Sequence, residues 1–265
     1  VSTQGPKLSV GDVNGDGLDD FFVGGAAGQP GALFIQDFKG SFNLSRQPAI
    51  EEDSLAEDTD AAFFDVDGNG TLDMIVVSGG QQFSGDHKNL KPRLYLNDGK
   101  GTFRKDMKQL PAVFLNASCV KPADVDNDGD TDLFIGGRVV TGRYGVDPPS
   151  FLMINNGQGK FEDATARLLP PVQRGSLGMV TDAVWCDVNH DNRVDLVVVG
   201  EWMPVTVMVQ NEAGGFENRT EDYGLSKTNG WWNTIAAHDF DKDGDVDFVV
   251  GNLGLNSRLR ATEDE

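Results

Sequence analysis

Short apolar runs recur along the chain, each entered from an Asp and ending at or beside glycine: FFVGG from Phe21, MIVVSGG from Met74, LFIGG from Leu133, LVVVG from Leu196 and FVVGN from Phe248. Their brevity, β-branched and aromatic content and Gly termination predict strands rather than helices. After each of the first four comes a loop and then a second apolar run, at 32–36, 93–96, 151–154 and 205–209. Three of these lead into turn sequences: Asn97-Asp-Gly-Lys-Gly, Asn155-Asn-Gly-Gln-Gly and Asn211-Glu-Ala-Gly-Gly. Asn-Gly and Asp-Gly steps support tight turns between strands. An aromatic residue opens the strand beyond each turn, at Phe42, Phe103, Phe161 and Phe216. The strand before each entry Asp carries small residues, Ala61-Ala62, Ala183-Val184 and Ala236-Ala237, which suits a crowded innermost position. Helical periodicity is nearly absent, with single turns expected at 165–169 and 221–225. The unit repeats from residues 12, 65, 124, 187 and 239, a period that predicts an all-β propeller of four-stranded antiparallel blades in one domain, 1–265.

The polar segments that start these repeats are five copies of one pattern: Asp12-Val-Asn14-Gly-Asp16-Gly-Leu18-Asp-Asp20, Asp65-Val-Asp67-Gly-Asn69-Gly-Thr71-Leu-Asp73, Asp124-Val-Asp126-Asn-Asp128-Gly-Asp130-Thr-Asp132, Asp187-Val-Asn189-His-Asp191-Asn-Arg193-Val-Asp195 and Asp239-Phe-Asp241-Lys-Asp243-Gly-Asp245-Val-Asp247. Positions 1, 3, 5 and 9 are always Asp or Asn. A loop that curls can bring these side chains onto one ion, and the position 7 carbonyls of Leu18, Thr71, Asp130, Arg193 and Asp245 can join them. Hard oxygens in such number suit Ca²⁺, which takes six to eight ligands at ~2.3–2.6 Å. Position 6 must turn sharply and is Gly17, Gly70, Gly129, Asn192 or Gly244, residues that tolerate left-handed φ. An EF-hand ends in a Glu at position 12 between helices; here position 9 leads into a strand, so each loop lies within a β-hairpin. Up to five Ca²⁺ are expected, with the side chain of Arg193 turned outward.

The chain has 265 residues with 42 acidic and 22 basic, a formal net charge of -20. The loops hold 17 carboxylates at their ligand positions, and five Ca²⁺ would halve the net charge. This acidity argues against nucleic acid as a partner. No run is apolar enough for a membrane span. Cys119 and Cys186 fall at offset repeat positions, which predicts free thiols. His87, His190 and His238 have no zinc-like spacing, with His190 at position 4 pointing away from the ion. No phosphate loop, nucleophile motif or isolated carboxylate pair is visible. Trp185 reads as core. Asp60 and Asp182 share one repeat position near the channel mouth, where capping a neighbouring backbone is favoured over ligand binding.

The pattern D-x-[DN]-x-D-[GN]-x-x-D followed by an apolar strand and Gly-Gly resembles FG-GAP/VCBS repeats, which build calcium-binding propellers like the head of integrin α chains. GDVNGDGLDDFFVGG, RLYLNDGKGTF, GGRVVTGRY, GEWMPVTV and GWWNTIAAHDFDKDGDVDFVVGNLGLNSRL are similar to the propeller of bacterial proteins related to cartilage acidic protein, associated with an ASPIC/UnbV region. The resemblance covers essentially the whole chain. It implies a secreted, periplasmic or surface-attached protein, often longer, closing a ring of about seven blades. Four and a half blades are readable here, so the remaining blades of a longer parent chain are expected as partners, with the strand after Asp247 as an exposed edge.

With the ion loops at one end of the blades, the opposite end collects the segments 81–91, 138–150, 201–204, 224–232 and 252–257. Arg138, Arg143, Tyr144, Glu201, Trp202, Trp231 and Trp232 are the candidate ligand residues there, as the Arg, Tyr and Trp common at recognition surfaces. Packing between blades is the competing role for them. The favoured function is a non-catalytic, calcium-binding extracellular scaffold that binds a protein or glycan, as in adhesion. The alternative is a module of a calcium-dependent, lyase-like enzyme acting on polysaccharide, for which Lys91, Arg138 and Arg143 are the basic residues that could converge.

Overall fold

A computed structural model describes residues 5–106, 108–170 and 176–254. Blade one is formed by β1 (Leu8–Gly11), β2 (Asp20–Val23), β3 (Ala32–Gln36) and β4 (Phe42–Ser45). Blade two holds β5 (Glu57–Phe64), β6 (Asp73–Gly79), β7 (Arg93–Asn97) and β8 (Phe103–Asp106). Blade three holds β9 (Asn116–Ala123), β10 (Asp132–Val139), β11 (Phe151–Asn155) and β12 (Phe161–Asp163). Blade four holds β13 (Met179–Cys186), β14 (Asp195–Met203), β15 (Thr206–Gln210) and β16 (Phe216–Asn218). Of a fifth blade, β17 (Gly230–His238) and β18 (Asp247–Asn252) fall among the described residues. Strands pair antiparallel in chain order within each blade, so the nearly all-β fold is a propeller of four-stranded blades. The far end of β14 also pairs with the start of β17, Glu201 opposite Trp231 and Met203 opposite Gly230. Residues 201–203 and 230–232, expected as loops, are therefore strand: pairing inside each blade, Glu201 to Met179 and Trp232 to Asn252, and across the two blades carries the ladders past the points where the apolar pattern fades.

The apolar runs lack alternation because both faces of a blade are covered. In β6, Met74 and Val76 pack toward blade one while Ile75 and Val77 pack toward blade three. In β14, Leu196 and Val198 face blade three and Val197 and Val199 face blade five. The core is thus four apolar clusters, one between each pair of neighbouring blades. Position 2 of the ion loops joins them: Val13, Val66 and Val125 are at most 2% exposed. Burying such a side chain contributes about 1.5–3 kcal/mol.

Each inner strand from β5 onward is bulged at one place. Thr59, Ser118, Thr181 and Asn233 are skipped by the ladder. A bulge re-aims its extra side chain, and all four line one inner cavity of about 140 Å³ with Lys7 and Arg138. Ser118 Oγ donates to the Val180 carbonyl at 2.6 Å and Thr181 Oγ1 to the Trp232 carbonyl at 2.8 Å, knitting successive inner strands. Asp60 accepts from Val120 N at 3.1 Å, and Asp182 from Ile235 N at 3.2 Å. Both carboxylates therefore cap the backbone of the next blade.

Among the described residues, helix is limited to α1 (Pro48–Glu51), α2 (Thr165–Leu168) and a 3₁₀ turn at Lys88–Leu90. The segment at 221–225 is a hydrogen-bonded turn, with Leu225 N donating to the Thr220 carbonyl at 3.0 Å. Cys119 and Cys186 are free. Trp185 is partly buried against Phe134 and Phe216, and its Nε1 donates to the Lys121 carbonyl. At the outer blades Leu8, Val10 and Val249 are more than half exposed. Residues 255–257 of the segment 252–257 lie outside the described residues.

Candidate metal loops and the opposite-end pocket

All five loops fold alike because each side chain has a fixed backbone duty. The position 1 carboxylate curls over the loop and accepts from the N–H groups of positions 5 and 6. Asp12 accepts from Asp16 N at 3.1 Å and Gly17 N at 2.8 Å; Asp65 accepts from Asn69 N and Gly70 N; Asp124 from Asp128 N and Gly129 N. Asp187 and Asp239 do the same in the last two loops. Position 5 accepts from the N–H of position 7, Leu18 to Asp16, Thr71 to Asn69, Asp130 to Asp128, Arg193 to Asp191 and Asp245 to Asp243, at 2.8–2.9 Å. Position 6 has positive φ throughout, as expected from Gly and Asn. So does position 4, which sequence reasoning missed: Asn127, His190 and Lys242 have φ of 58°, 59° and 64°.

Position 9 has a further role. Asp20, Asp73, Asp132 and Asp195 are fully buried. One oxygen accepts from position 2 of the loop and the other from the end of the blade's third strand. For Asp132 these donors are Val125 N at 2.9 Å and Asn155 N at 2.7 Å. Asp247 accepts from Phe240 N at 2.9 Å. Burial pushes the Asp73 and Asp132 carboxyls up to about 6, with the neighbouring loop carboxylates adding to the shift. The third strands also end in a carboxamide that bridges blades. Asn97 Nδ2 donates to the Val13 carbonyl at 2.7 Å, Asn155 Nδ2 to Val66 at 2.8 Å and Gln210 Nε2 to Val125 at 2.7 Å.

The donor sets fit a calcium ion. Carboxylate oxygens of Asp65, Asp67 and Asp73 lie within 4.8 Å of one another, as do those of Asp124, Asp126 and Asp132, and of Asp239, Asp241 and Asp247. An ion about 2.4 Å from each oxygen spans that separation. Loops one and four place Asn14 and Asn189 at position 3, and each amide donates to the position 5 carboxylate, Asp16 at 3.0 Å and Asp191 at 2.9 Å. Arg193 does not turn outward. Its guanidinium reaches the carboxylate two residues back in its own loop, Asp191 Oδ2 at 2.6 Å, while Nε donates to the Gln210 carbonyl at 3.3 Å. His190 turns from its own loop and donates from Nε2 to Asp245 Oδ1 of loop five at 2.8 Å, which raises its pKa. His87 stacks on Phe83, and His238 packs edge-on to Phe240.

At the other end of the blades, Arg138, Tyr144, Glu201, Trp202 and Trp231 come together. Arg138 Nε donates to Glu201 Oε1 at 3.0 Å, Tyr144 OH to Glu201 Oε2 at 2.7 Å, and Trp202 Nε1 to Tyr144 OH at 2.7 Å. Burial and this bond to Glu201 push the Tyr144 hydroxyl up to about 12. The indoles of Trp202 and Trp231 lie 5.4 Å apart. Trp202 is the extra residue of the bulge between β14 and β17 and has φ of 62°, a strained conformation for a bulky side chain. Beside it opens a cavity of about 480 Å³. Arg143 is exposed, and Trp232 packs into the cluster between blades four and five with its Nε1 donating to the Thr228 carbonyl at 2.9 Å. Lys91 Nζ donates to the Leu110 carbonyl at 3.4 Å, and Arg138 is held by Glu201.

The FG-GAP-like repeat family matches residues 12–76, 65–135 and 187–250, more than half of the chain. The chain belongs to the FG-GAP-like repeat family. No curated protein sequence is significantly similar to it. Among solved structures, it is similar to an Agrocybe aegerita lectin described in its recognition of non-reducing terminal N-acetylglucosamine. That match has 19% identity and a TM-score of 0.48, covering 78% of this chain and 49% of the lectin. A protein of Bifidobacterium bifidum S17 described as a proposed exo-β-1,3-galactanase matches at 10% identity and a TM-score of 0.49, covering 94% and 82%. The V. cholerae biofilm matrix protein Bap1 matches at 15% identity and a TM-score of 0.38, covering 93% and 34%. The chain thus spans about half the length of the lectin and about a third of Bap1.

Proposed function

We propose that this FG-GAP propeller is a calcium-stabilised, non-catalytic scaffold acting outside the cell, with five ion loops at one end and a ligand site for a protein or glycan at the other. The observation that carries the reading is the shared geometry of the loops: in all five, the same backbone N–H groups hold the side-chain oxygens of positions 1 and 5 in one curled backbone. Oxygen-only donor sets with several carboxylates suit Ca²⁺ over Mg²⁺, which demands a smaller octahedral shell. Calcium abundant outside cells would fill such loops and offset the repulsion among their carboxylates. No helix among the described residues is long and apolar enough to cross a membrane. The Tyr144–Glu201–Trp202 cluster supports a recognition role for the far end, because a rigid aromatic beside a cavity is a usual anchor.

Binding to a panel of immobilised extracellular glycans and proteins, with calcium or with chelator, tests the function. Retention in calcium that is lost on Trp202→Ala is the expected result. Release of unsaturated products from a bound uronic-acid polymer would overturn the non-catalytic reading.

A further inference from the structure

The cavity beside Trp202 has a one-sided chemistry. Its apolar walls are Trp202, Met179 and Met203, and its polar groups include Glu201, Asp147 and Asn229; none of the described residues lining it is basic. Asn229 Oδ1 is buried and has no hydrogen-bond partner. An orphaned buried acceptor of this kind destabilises its surroundings until a donor reaches it. Glu201 is paired with Arg138, but the pair is oriented: Arg138 lines the inner cavity on the propeller axis, while Glu201 lines this one. Glu201 is thus the member of the pair in this wall, its side chain 2% exposed and tied to Arg138 and Tyr144. Asp147 adds a second carboxylate, exposed and without a hydrogen-bond partner among the described residues.

Trp202 supplies the remaining element. Its Nε1 is committed to Tyr144, its neighbour Trp231 packs beside it, and its backbone is fixed in the bulge. The indole is thus held in place as a wall, and an indole face attracts cations. Methionine thioethers adapt to an unbranched stem. Both oxygens of Glu201 already carry partners, Arg138 on one and Tyr144 on the other, so of the two carboxylates only Asp147 keeps a free edge, and the second acceptor, Asn229 Oδ1, is a single point. A compact ammonium, which takes point acceptors from separate directions, fits better.

We propose that this cavity binds a primary ammonium on an unbranched alkyl stem, presented as a lysine side chain by a partner protein. The assignment rests on reading this end of the propeller as its ligand end.

The calcium-loaded protein is titrated with Nα-acetyl-lysine amide while the indole resonances are followed by NMR, with the norleucine and arginine amides and a neutral saccharide as separate arms. The Trp202 resonance, assigned by its loss in Trp202→Phe, is expected to shift saturably with the lysine amide. The norleucine amide, which lacks the charge, should bind at least about tenfold more weakly, and the arginine amide more weakly than the lysine amide. Raising the salt should weaken the lysine amide. Asp147→Lys should weaken it by about tenfold or more with an unchanged melting temperature, since Asp147 has no structural partner. Equal binding of the norleucine amide, or no loss in Asp147→Lys, overturns the proposal. A shift with the saccharide and none with the lysine amide overturns the ammonium assignment while the ligand-end reading stands. Silence to every arm, together with no binding in the immobilised panel, overturns both.

Discussion

Asp182→Ala should loosen the propeller by several kcal/mol through one buried carboxylate. Asp182 is 3% exposed and joins four blades. Its Oδ1 accepts from Lys7 Nζ of blade one at 2.7 Å and from Lys121 Nζ of blade three at 2.8 Å. Its Oδ2 accepts from Thr234 Oγ1 at 2.9 Å and Ile235 N at 3.2 Å in blade five. Burial opposes ionisation, but the two ammonium groups outweigh it and pull the carboxyl down to about 2. Set against an ordinary Asp near 3.9, that favours the charged form by about 2–3 kcal/mol. Both lysines are about a quarter to a third exposed, so solvent screens part of this. The substitution also orphans the buried Ile235 N–H, which costs about 1–3 kcal/mol. A loss of about 3 kcal/mol results, within the range for breaking one side of a buried ion pair. For a chain of this size that corresponds to roughly 6–12 °C in melting temperature. The sign with pH follows from the lowered pKa: the contribution is present above the unfolded value near 4 and is lost as pH falls through about 2. Urea midpoints of wild type and Asp182→Ala at neutral pH, and again at pH values descending through that window, provide the assay. Equal midpoints at neutral pH, or a difference that stays constant as the carboxylate is protonated, would refute the reasoning.

Asn155→Ala should cost about 2 kcal/mol, because its buried amide bridges Val66 and Thr131 carbonyls, whereas Asn156→Ala in the same turn should cost about 1 kcal/mol or less; chemical denaturation of both variants checks the contrast. Arg193→Gln should tighten calcium at loop four, since the guanidinium occupies an oxygen of Asp191 that the ion would take; calorimetric titration showing weaker or unchanged affinity at that loop would count against this.

The four-stranded blades and their strand order were legible because each strand is a dense apolar run and each turn carries Gly or Asn. Phe42, Phe103, Phe161 and Phe216 each open the fourth strand as their turn sequences imply. The end of β14 and the start of β17 were not legible: Glu201, Trp202, Trp231 and Trp232 break the apolar pattern, and pairing within the blades, Glu201 to Met179 and Trp232 to Asn252, together with pairing between them, Glu201 to Trp231, makes this region strand. The bulges at Thr59, Ser118, Thr181 and Asn233 leave no local pattern, although small polar residues at one repeat position could have flagged them. The brace formed by position 9 was hidden because an Asp that accepts two backbone N–H groups looks in sequence like an Asp that binds metal. Helix α1 was missed despite Pro48 at its first turn, a usual start signal. Arg193 was misjudged because loop position alone does not tell which carboxylate a long cation will reach.

The most direct test of the calcium scaffold is the metal stoichiometry of the folded chain, measured by native mass spectrometry with melting curves on the same samples. The account predicts up to five Ca²⁺ per chain, filled in steps. It also predicts a melting temperature that rises with free calcium, each site adding about 2.7 kcal/mol at a hundredfold excess over its Kd. Magnesium should restore little of that gain. One ion or none at saturating calcium, with a melting curve unmoved by chelator, would contradict it.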